Sequence, residues 1–196
     1  MALTHIRNVK QSVVSFGQGC EGEPLLAANV IEPAIRMIRS QTHNGTINVN
    51  TNGSSPEILG RLFDAGLDSV RISMNSVRKN CYTAYFRPSG YTFEDVIESI
   101  DQAISRNKFI AINYLNCPGF TDSSEEVEAL KKFLKQYPVN MIQWRNLNFD
   151  PIRYYSVMNS ITEHGVPIGM NTLILDIKRS YPLLKHGYFN PPKEKF

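Results

Sequence analysis

Cysteine is scarce in this 196-residue sequence, which contains only three, at Cys20, Cys81 and Cys117. They lie far apart in the chain, so they form neither a disulfide framework nor a closely spaced metal-binding motif. We therefore expect reduced thiols and no metal ligands in this chain. Scattered reduced cysteines are typical of the cytoplasm, and we predict a cytoplasmic location.

Long apolar runs and a strong charge excess are also missing. No stretch approaches the roughly 18 apolar residues that a membrane-spanning helix needs. The first residues show no apolar core of a signal peptide. The formal net charge of the protein is only +3, and the basic residues are spread along the chain. This balance predicts a mixed surface, with neither a membrane nor a nucleic acid as partner.

Several catalytic motifs are absent. The pattern GxxxxGK[ST] does not occur, which excludes a P-loop. The four histidines are scattered and indicate no zinc site and no histidine-based triad. No lysine lies within a predicted central strand, which argues against a Schiff-base enzyme. The catalytic residues stay unknown, and the chain is predicted to hold a cofactor that supplies the chemistry.

The pattern that is present alternates short β-prone runs with amphipathic helices. Repeated strand–helix–strand units favour parallel pairing with right-handed crossovers. The sequence therefore predicts an α/β fold, a partial (β/α) TIM-like barrel with mostly parallel strands, with an open doubly wound sheet as the alternative. We predict a single domain over residues 1–196, with the barrel over about 12–175 and a C-terminal tail over 176–196. The predicted strands cover 12–16, 46–50, 69–74, 109–115, 140–147 and 167–175.

Two helices carry clear end signals. Ser55-Pro56 predicts an N-cap followed by a first-turn proline, and Gly66 predicts the end of that helix. Ser123, with Glu126 three residues later, predicts a capping box in which each side chain bonds the other residue's backbone.

Small, uncharged and hydrogen-bonding residues follow the predicted strands. Gly17, Gly19 and Gly22 lead into Glu23-Pro24 after the first strand, and Asn50–Gly53 follows the second. Backbone groups that glycine leaves exposed, together with amide and hydroxyl side chains, can form hydrogen bonds with a zwitterionic amino acid and with ribose hydroxyls. We expect the ligand site at this end of the strands.

Four segments in this order resemble the radical S-adenosylmethionine (radical SAM) superfamily. They are Gly22-Glu23-Pro24, Thr51-Asn52-Gly53, "AGLDSVRISMNS" at 65–76 and "INYLNCPGFTDSSEEVEAL" at 112–130. The resemblance implies a partial (β/α) barrel with SAM lying across the strand ends. By motif position, Gly22, Glu23 and Pro24 are expected to receive the methionine amino group of SAM.

The resemblance implies further SAM-binding residues. Thr51 and Ser73 match positions that approach SAM in the family. Asn75, Asn113 and Arg145 are looser matches that would meet the ribose, the adenine or the carboxylate. Because Arg145 is expected to point inward, it needs an anionic partner, while Trp144 beside it is expected to pack outside the barrel.

One departure from the family is large. Radical SAM enzymes hold a [4Fe–4S] cluster with a CxxxCxxC triplet, and no such triplet occurs here. We therefore interpret the chain as a truncated core that lacks the first strand and the cluster loop. The cluster is expected in the intact parent and not in this chain, which alone is expected to be inactive. A barrel without its first strand exposes the edge of the strand at 12–16, which predicts self-association or cover by the tail.

The resemblance implies that the intact parent reductively cleaves SAM to start radical chemistry. The partners would be SAM, an electron donor for the cluster, and an unknown substrate that is a small molecule, a peptide or a protein. Activation of a glycyl-radical enzyme is one role that the family allows. Two alternatives remain: a cluster-less binding or structural domain, and a non-radical enzyme acting on a small metabolite.

Overall fold

The computed structural model describes residues 1–17 and 22–196, and these residues form six strands and eight α-helices. The strands are β1 (Val13–Phe16), β2 (Thr46–Thr51), β3 (Ser69–Met74), β4 (Phe109–Asn116), β5 (Met141–Asn146) and β6 (Lys185–Gly187). The helices are α1 (Ala2–Asn8), α2 (Ala28–Gln41), α3 (Pro56–Ala65), α4 (Lys79–Phe86), α5 (Phe93–Ser105), α6 (Ser124–Gln136), α7 (Pro151–Asn159) and α8 (Met170–Ser180).

The six strands belong to one parallel sheet and follow chain order, from β1 to β6. Three registers illustrate the pairing: Val13 lies opposite Thr46, Asn48 opposite Ser69, and Met141 opposite Lys185. A helix follows each of the first five strands along the chain. The predicted α/β class and the parallel pairing are therefore confirmed.

The chain divides into two compact units. Unit 1 comprises Met1–Ser73, Glu94–Ala111 and Phe189–Phe196. Its core is aliphatic and includes the fully buried Ile35 of α2, Ile47 and Val49 of β2, and Leu59 and Leu62 of α3. The helices α2 and α3 are amphipathic. Their apolar residues recur at helical spacing and form one face, which packs on this core, while the opposite face is polar.

Unit 2 comprises Met74–Phe93 and Ile112–Tyr188. Its core contains a cluster of buried thiol, thioether and aromatic side chains, formed by Cys81, Cys117, Phe120, Tyr154 and Met158. The prediction of a single domain over residues 1–196 stays a prediction.

The end signals of two helices are largely confirmed. Ser55 is the N-cap of α3, although its side chain makes no capping bond, Pro56 lies in the first turn, and Gly66 ends the helix in a left-handed conformation with φ of 114°. Ser123 is the N-cap of α6, as expected, but its side chain makes no capping bond. The predicted capping box is wrong, because the Glu126 carboxylate turns away from the helix start and binds Ser76, Arg78 and Tyr114 inside unit 2.

The predicted sixth strand at 167–175 is wrong, because α8 covers most of that segment. Its buried residues are Leu173 and Ile177, which lie four positions apart on one helical face. The sixth strand is instead the three-residue β6, which pairs with β5 inside the segment predicted as tail.

The last eight residues, 189–196, belong to unit 1. The Lys193 amide donates to the Thr46 hydroxyl at 2.7 Å, and the Phe196 ring stacks on Phe109 with 4.3 Å between centroids. The tail is therefore held against β2 and the start of β4. Self-association through the edge of β1 stays a prediction. No helix in the described part of the chain is both long enough and apolar enough to cross a membrane.

Candidate functional site

The Glu23 carboxylate joins the segment after β1 to the end of β2 in unit 1. One of its oxygens accepts from the Leu25 amide at 3.1 Å and from the Thr51 hydroxyl, and the other accepts from the Asn52 amide at 2.8 Å. The Thr51 oxygen in turn accepts from the Gly53 amide at 3.0 Å. Glu23, Pro24 and Thr51, which the resemblance implied as one site, are therefore brought together.

Glycine shapes this loop at two positions with positive φ. Gly17 has φ of 81°, and a β-carbon there would clash with the Asn50 carbonyl oxygen and with Pro24. Gly22 also has φ of 81°, but among the described residues beyond its chain neighbours no atom lies within 4 Å of the position of its absent β-carbon. The first glycine thus permits close packing, whereas the second leaves open space beside an exposed backbone.

A network of short polar side chains lies next to this loop. Asn48 donates to Asn50 at 2.9 Å and to Ser15 at 3.3 Å, and its oxygen accepts from Ser69 at 2.8 Å. Asn190 of the C-terminal segment donates to Asn50 at 3.0 Å. One face of β2 is thus amide-rich, and its other face is aliphatic.

The alternation of residues along β2 is a sequence signal for this network. Thr46, Asn48 and Asn50 alternate with the buried Ile47 and Val49, and this spacing places all three polar side chains on one face of β2. The participation of Asn190 had no comparable signal, because it is distant in sequence and follows no periodic pattern.

The remaining predicted site residues lie in different surroundings. Ser73 is half-buried in β3 of unit 1, between the buried Ile72 and Met74. Asn75 belongs to unit 2, where its side chain is fully buried and donates to the Cys81 carbonyl and the Tyr154 hydroxyl, each at 3.2 Å.

Arg145 and Asn113 contact each other within unit 2. The Arg145 guanidinium donates to the Asn113 side-chain oxygen and to the Tyr188 carbonyl, each at 3.2 Å, and lies 4.0 Å from the centre of the Tyr188 ring. These partners are uncharged. An anionic partner for Arg145 is not among them and stays a prediction. Trp144 donates from its ring nitrogen to His186 at 2.9 Å. The predicted roles of all these residues in SAM binding stay predictions.

The two cysteines within the described ranges do not fit an iron–sulfur cluster. Burial raises the pKa of the Cys81 thiol to about 11 and also raises that of Cys117. A [4Fe–4S] cluster is held by about four cysteine thiolates, and these two buried thiols are too few for that set. Residues 1–17 and 22–196 contain no group of three side chains suited to a metal ion. Gly19 and Cys20 lie outside the described residues.

Comparison with known proteins identifies the family of this chain. The family model of the radical SAM superfamily matches residues 3–134. The chain therefore belongs to the radical SAM superfamily, whose members cleave SAM at an iron–sulfur cluster. A curated relative, GTP 3′,8-cyclase of Thermodesulfovibrio yellowstonii, is 28% identical over 134 residues. That match covers 63% of this chain and 41% of the cyclase, so the chain spans less than half of the relative's length.

Solved structures share the fold at low sequence identity. A domain of pyruvate-formate lyase-activating enzyme from Bacteroides vulgatus superposes with a TM-score of 0.62 at 14% identity, covering 90% of this chain and 99% of that domain. HydG, a maturase of the [FeFe]-hydrogenase, superposes with a TM-score of 0.59 at 12% identity, covering 94% of this chain and 42% of that protein. These likenesses support the α/β fold of the superfamily.

Proposed function

We propose that the loop at 22–24, together with the end of β2, holds SAM by its methionine portion. Family membership supports SAM as the ligand. The main support for this site is the Glu23 carboxylate. It accepts hydrogen bonds from Leu25 in its own segment and from Thr51 and Asn52 at the end of β2, and so fixes the loop against β2. The open space beside Gly22 leaves the loop backbone accessible to an ammonium group.

The Glu23 carboxylate acts in this proposal chiefly by positioning. Three donors already occupy it, and a carboxylate offers about four acceptor positions. The loop's backbone carbonyls would therefore receive the ammonium group of SAM, and Glu23 would accept at most one further bond from it. The neighbouring amides of Asn48 and Asn50 supply donors and acceptors suited to a polar ligand.

We further propose that the whole protein uses bound SAM for radical chemistry. When a reduced [4Fe–4S] cluster cleaves bound SAM, the cleavage supplies a radical that abstracts hydrogen from the substrate. The described residues do not fit that cluster. The electron donor, the substrate, a role as an activating enzyme and a cytoplasmic location stay predictions.

Glu23→Gln is expected to weaken SAM binding about tenfold, because a charge-assisted hydrogen bond contributes roughly 1.5 kcal/mol and a half-buried amide group would face backbone donors. Isothermal titration calorimetry of the protein with SAM measures the change. Glu57→Gln is the matched control, since Glu57 is an exposed residue in the first turn of α3. Equal affinity of Glu23→Gln and the unaltered protein, or no saturable SAM binding by either, would overturn the proposal.

A further inference from the structure

Unit 2 contains a cavity of about 360 Å³ between α4 and α7. Its walls are largely aromatic and include Tyr85, Phe86, Phe149 and Tyr154. Tyr85 meets Tyr154 and Phe149 edge-on, with 5.5 and 6.1 Å between ring centres. The volume falls within the range of small-molecule sites. An aromatic ligand ring can extend this edge-to-face arrangement, which aromatic pairs favour.

Two arginines line the same cavity. Arg87 ends α4, and Arg153 lies in the first turn of α7. The Arg153 guanidinium lies 5.8 Å from the centre of the Phe149 ring, and neither guanidinium forms an ion pair with any residue in the described ranges. Exposed guanidinium groups beside an aromatic wall suit a carboxylate or a phosphate, which they bind through paired hydrogen bonds.

The backbone of Arg87 adds a second, independent observation. It adopts the left-handed conformation, with φ of 48° and ψ of 57°, where it ends α4. Glycine is the usual residue at this position of a helix, because a β-carbon costs about 1 kcal/mol or more there. Strained non-glycine residues are concentrated at ligand sites. The left-handed backbone of Arg87 thus places a strained residue at the edge of the cavity.

We propose that this cavity binds a flat aromatic acid. The ligand's ring packs among Tyr85, Phe149 and Tyr154, and its acid group is held by Arg87 and Arg153. The shared chemistry is an aromatic ring with one anionic group, either carboxylate or phosphate. The proposal does not depend on SAM binding, because the residues that carry it lie in unit 2 and the loop at 22–24 lies in unit 1.

The test uses the protein and three probes that share one ring system: 2-naphthoate, 2-naphthyl phosphate and uncharged 2-naphthol. Calorimetric titration is expected to show at least tenfold tighter binding of an acid than of 2-naphthol. Whichever acid binds more tightly identifies the anionic group. Equal affinity for the acids and 2-naphthol, or no binding of either acid, would overturn the proposal.

Arg87→Gly gives the sharpest variant, because it relieves the strained backbone while removing the cation. Its melting temperature is expected to equal or exceed that of the unaltered protein, while its affinity for the preferred acid falls at least tenfold. Arg153→Ala is expected to show a similar loss of affinity. Arg179→Ala, which removes an exposed arginine of α8, is expected to bind as the unaltered protein does. Retained binding by Arg87→Gly would contradict the assignment.

Discussion

Glu126→Ala is expected to lower the free energy of unfolding by about 3–5 kcal/mol, the cost of breaking a buried ion pair by removing one partner. The Glu126 side chain is fully buried on α6, and its carboxylate accepts from Arg78 at 2.7 Å, from Ser76 at 2.9 Å and from the Tyr114 hydroxyl. Its removal leaves a guanidinium that is only 16% exposed without its charged partner. Chemical denaturation monitored by circular dichroism measures the loss.

The environment of Tyr114 makes this loss larger than that of one ion pair alone. Burial, followed by the neighbouring Glu126, raises the pKa of the Tyr114 hydroxyl well above its usual range, so the hydroxyl stays protonated and donates. In Glu126→Ala this buried donor loses its acceptor, which adds a desolvation cost. Glu126→Gln keeps an acceptor oxygen and is expected to lose less stability than Glu126→Ala.

Glu128→Ala serves as the matched control for Glu126→Ala. Glu128 lies two residues later on the same helix and is exposed, so its replacement is expected to change stability by less than about 0.5 kcal/mol. Equal losses for the two variants would show that the buried carboxylate does not hold unit 2 together as described.

Arg39→Ala is expected to cost about 2–4 kcal/mol of unfolding free energy, because it removes several charge-assisted hydrogen bonds at once. The Arg39 guanidinium donates to the Gly66 carbonyl at 2.9 Å and to the Asn44 carbonyl at 3.0 Å, and it forms an ion pair with Asp68. Asp68 also accepts from the Ile47 amide at 2.7 Å. Arg39 thus joins the end of α2, the end of α3 and the start of β2 within unit 1.

Arg36→Ala provides the comparison, since Arg36 lies on the same helix one turn earlier. Its guanidinium is 56% exposed and pairs with Glu32 at the surface, an arrangement that contributes about 0–1 kcal/mol. Arg39→Lys is expected to recover little stability, because one ammonium group cannot reproduce the geometry of a planar guanidinium with several acceptors. Full stability of Arg39→Lys, or a larger loss in Arg36→Ala, would contradict this account.

Local sequence signals predicted most of the sheet but not its last strand. Ser55-Pro56 and Gly66 correctly bounded α3, because each acts through the conformation of its own backbone. The three residues of β6 include no β-branched side chain, and their pairing with β5 depends on tertiary structure. The segment at α8 is rich in leucine and isoleucine, so its apolar content suggested a strand although its buried residues follow helical spacing.

Motif positions predicted part of the candidate site. Glu23 and Thr51 meet as the resemblance implied, although 28 positions separate them. Glu126 shows the limit of such reasoning, because the same residue spacing suits a capping box and a buried ion pair. The tertiary structure of unit 2, which places Arg78 and Tyr114 beside Glu126, decides between a capping box and a buried ion pair.

We propose that this chain contributes SAM-holding residues to a radical SAM enzyme. The most direct measurement uses the protein expressed from its complete reading frame, reconstituted with iron and sulfide without oxygen, reduced, and supplied with SAM. The account predicts 5′-deoxyadenosine and methionine in equal amounts, and less of both from Glu23→Gln. A reduced preparation with a demonstrated [4Fe–4S] cluster that forms no 5′-deoxyadenosine, or a protein that assembles no cluster, would contradict it.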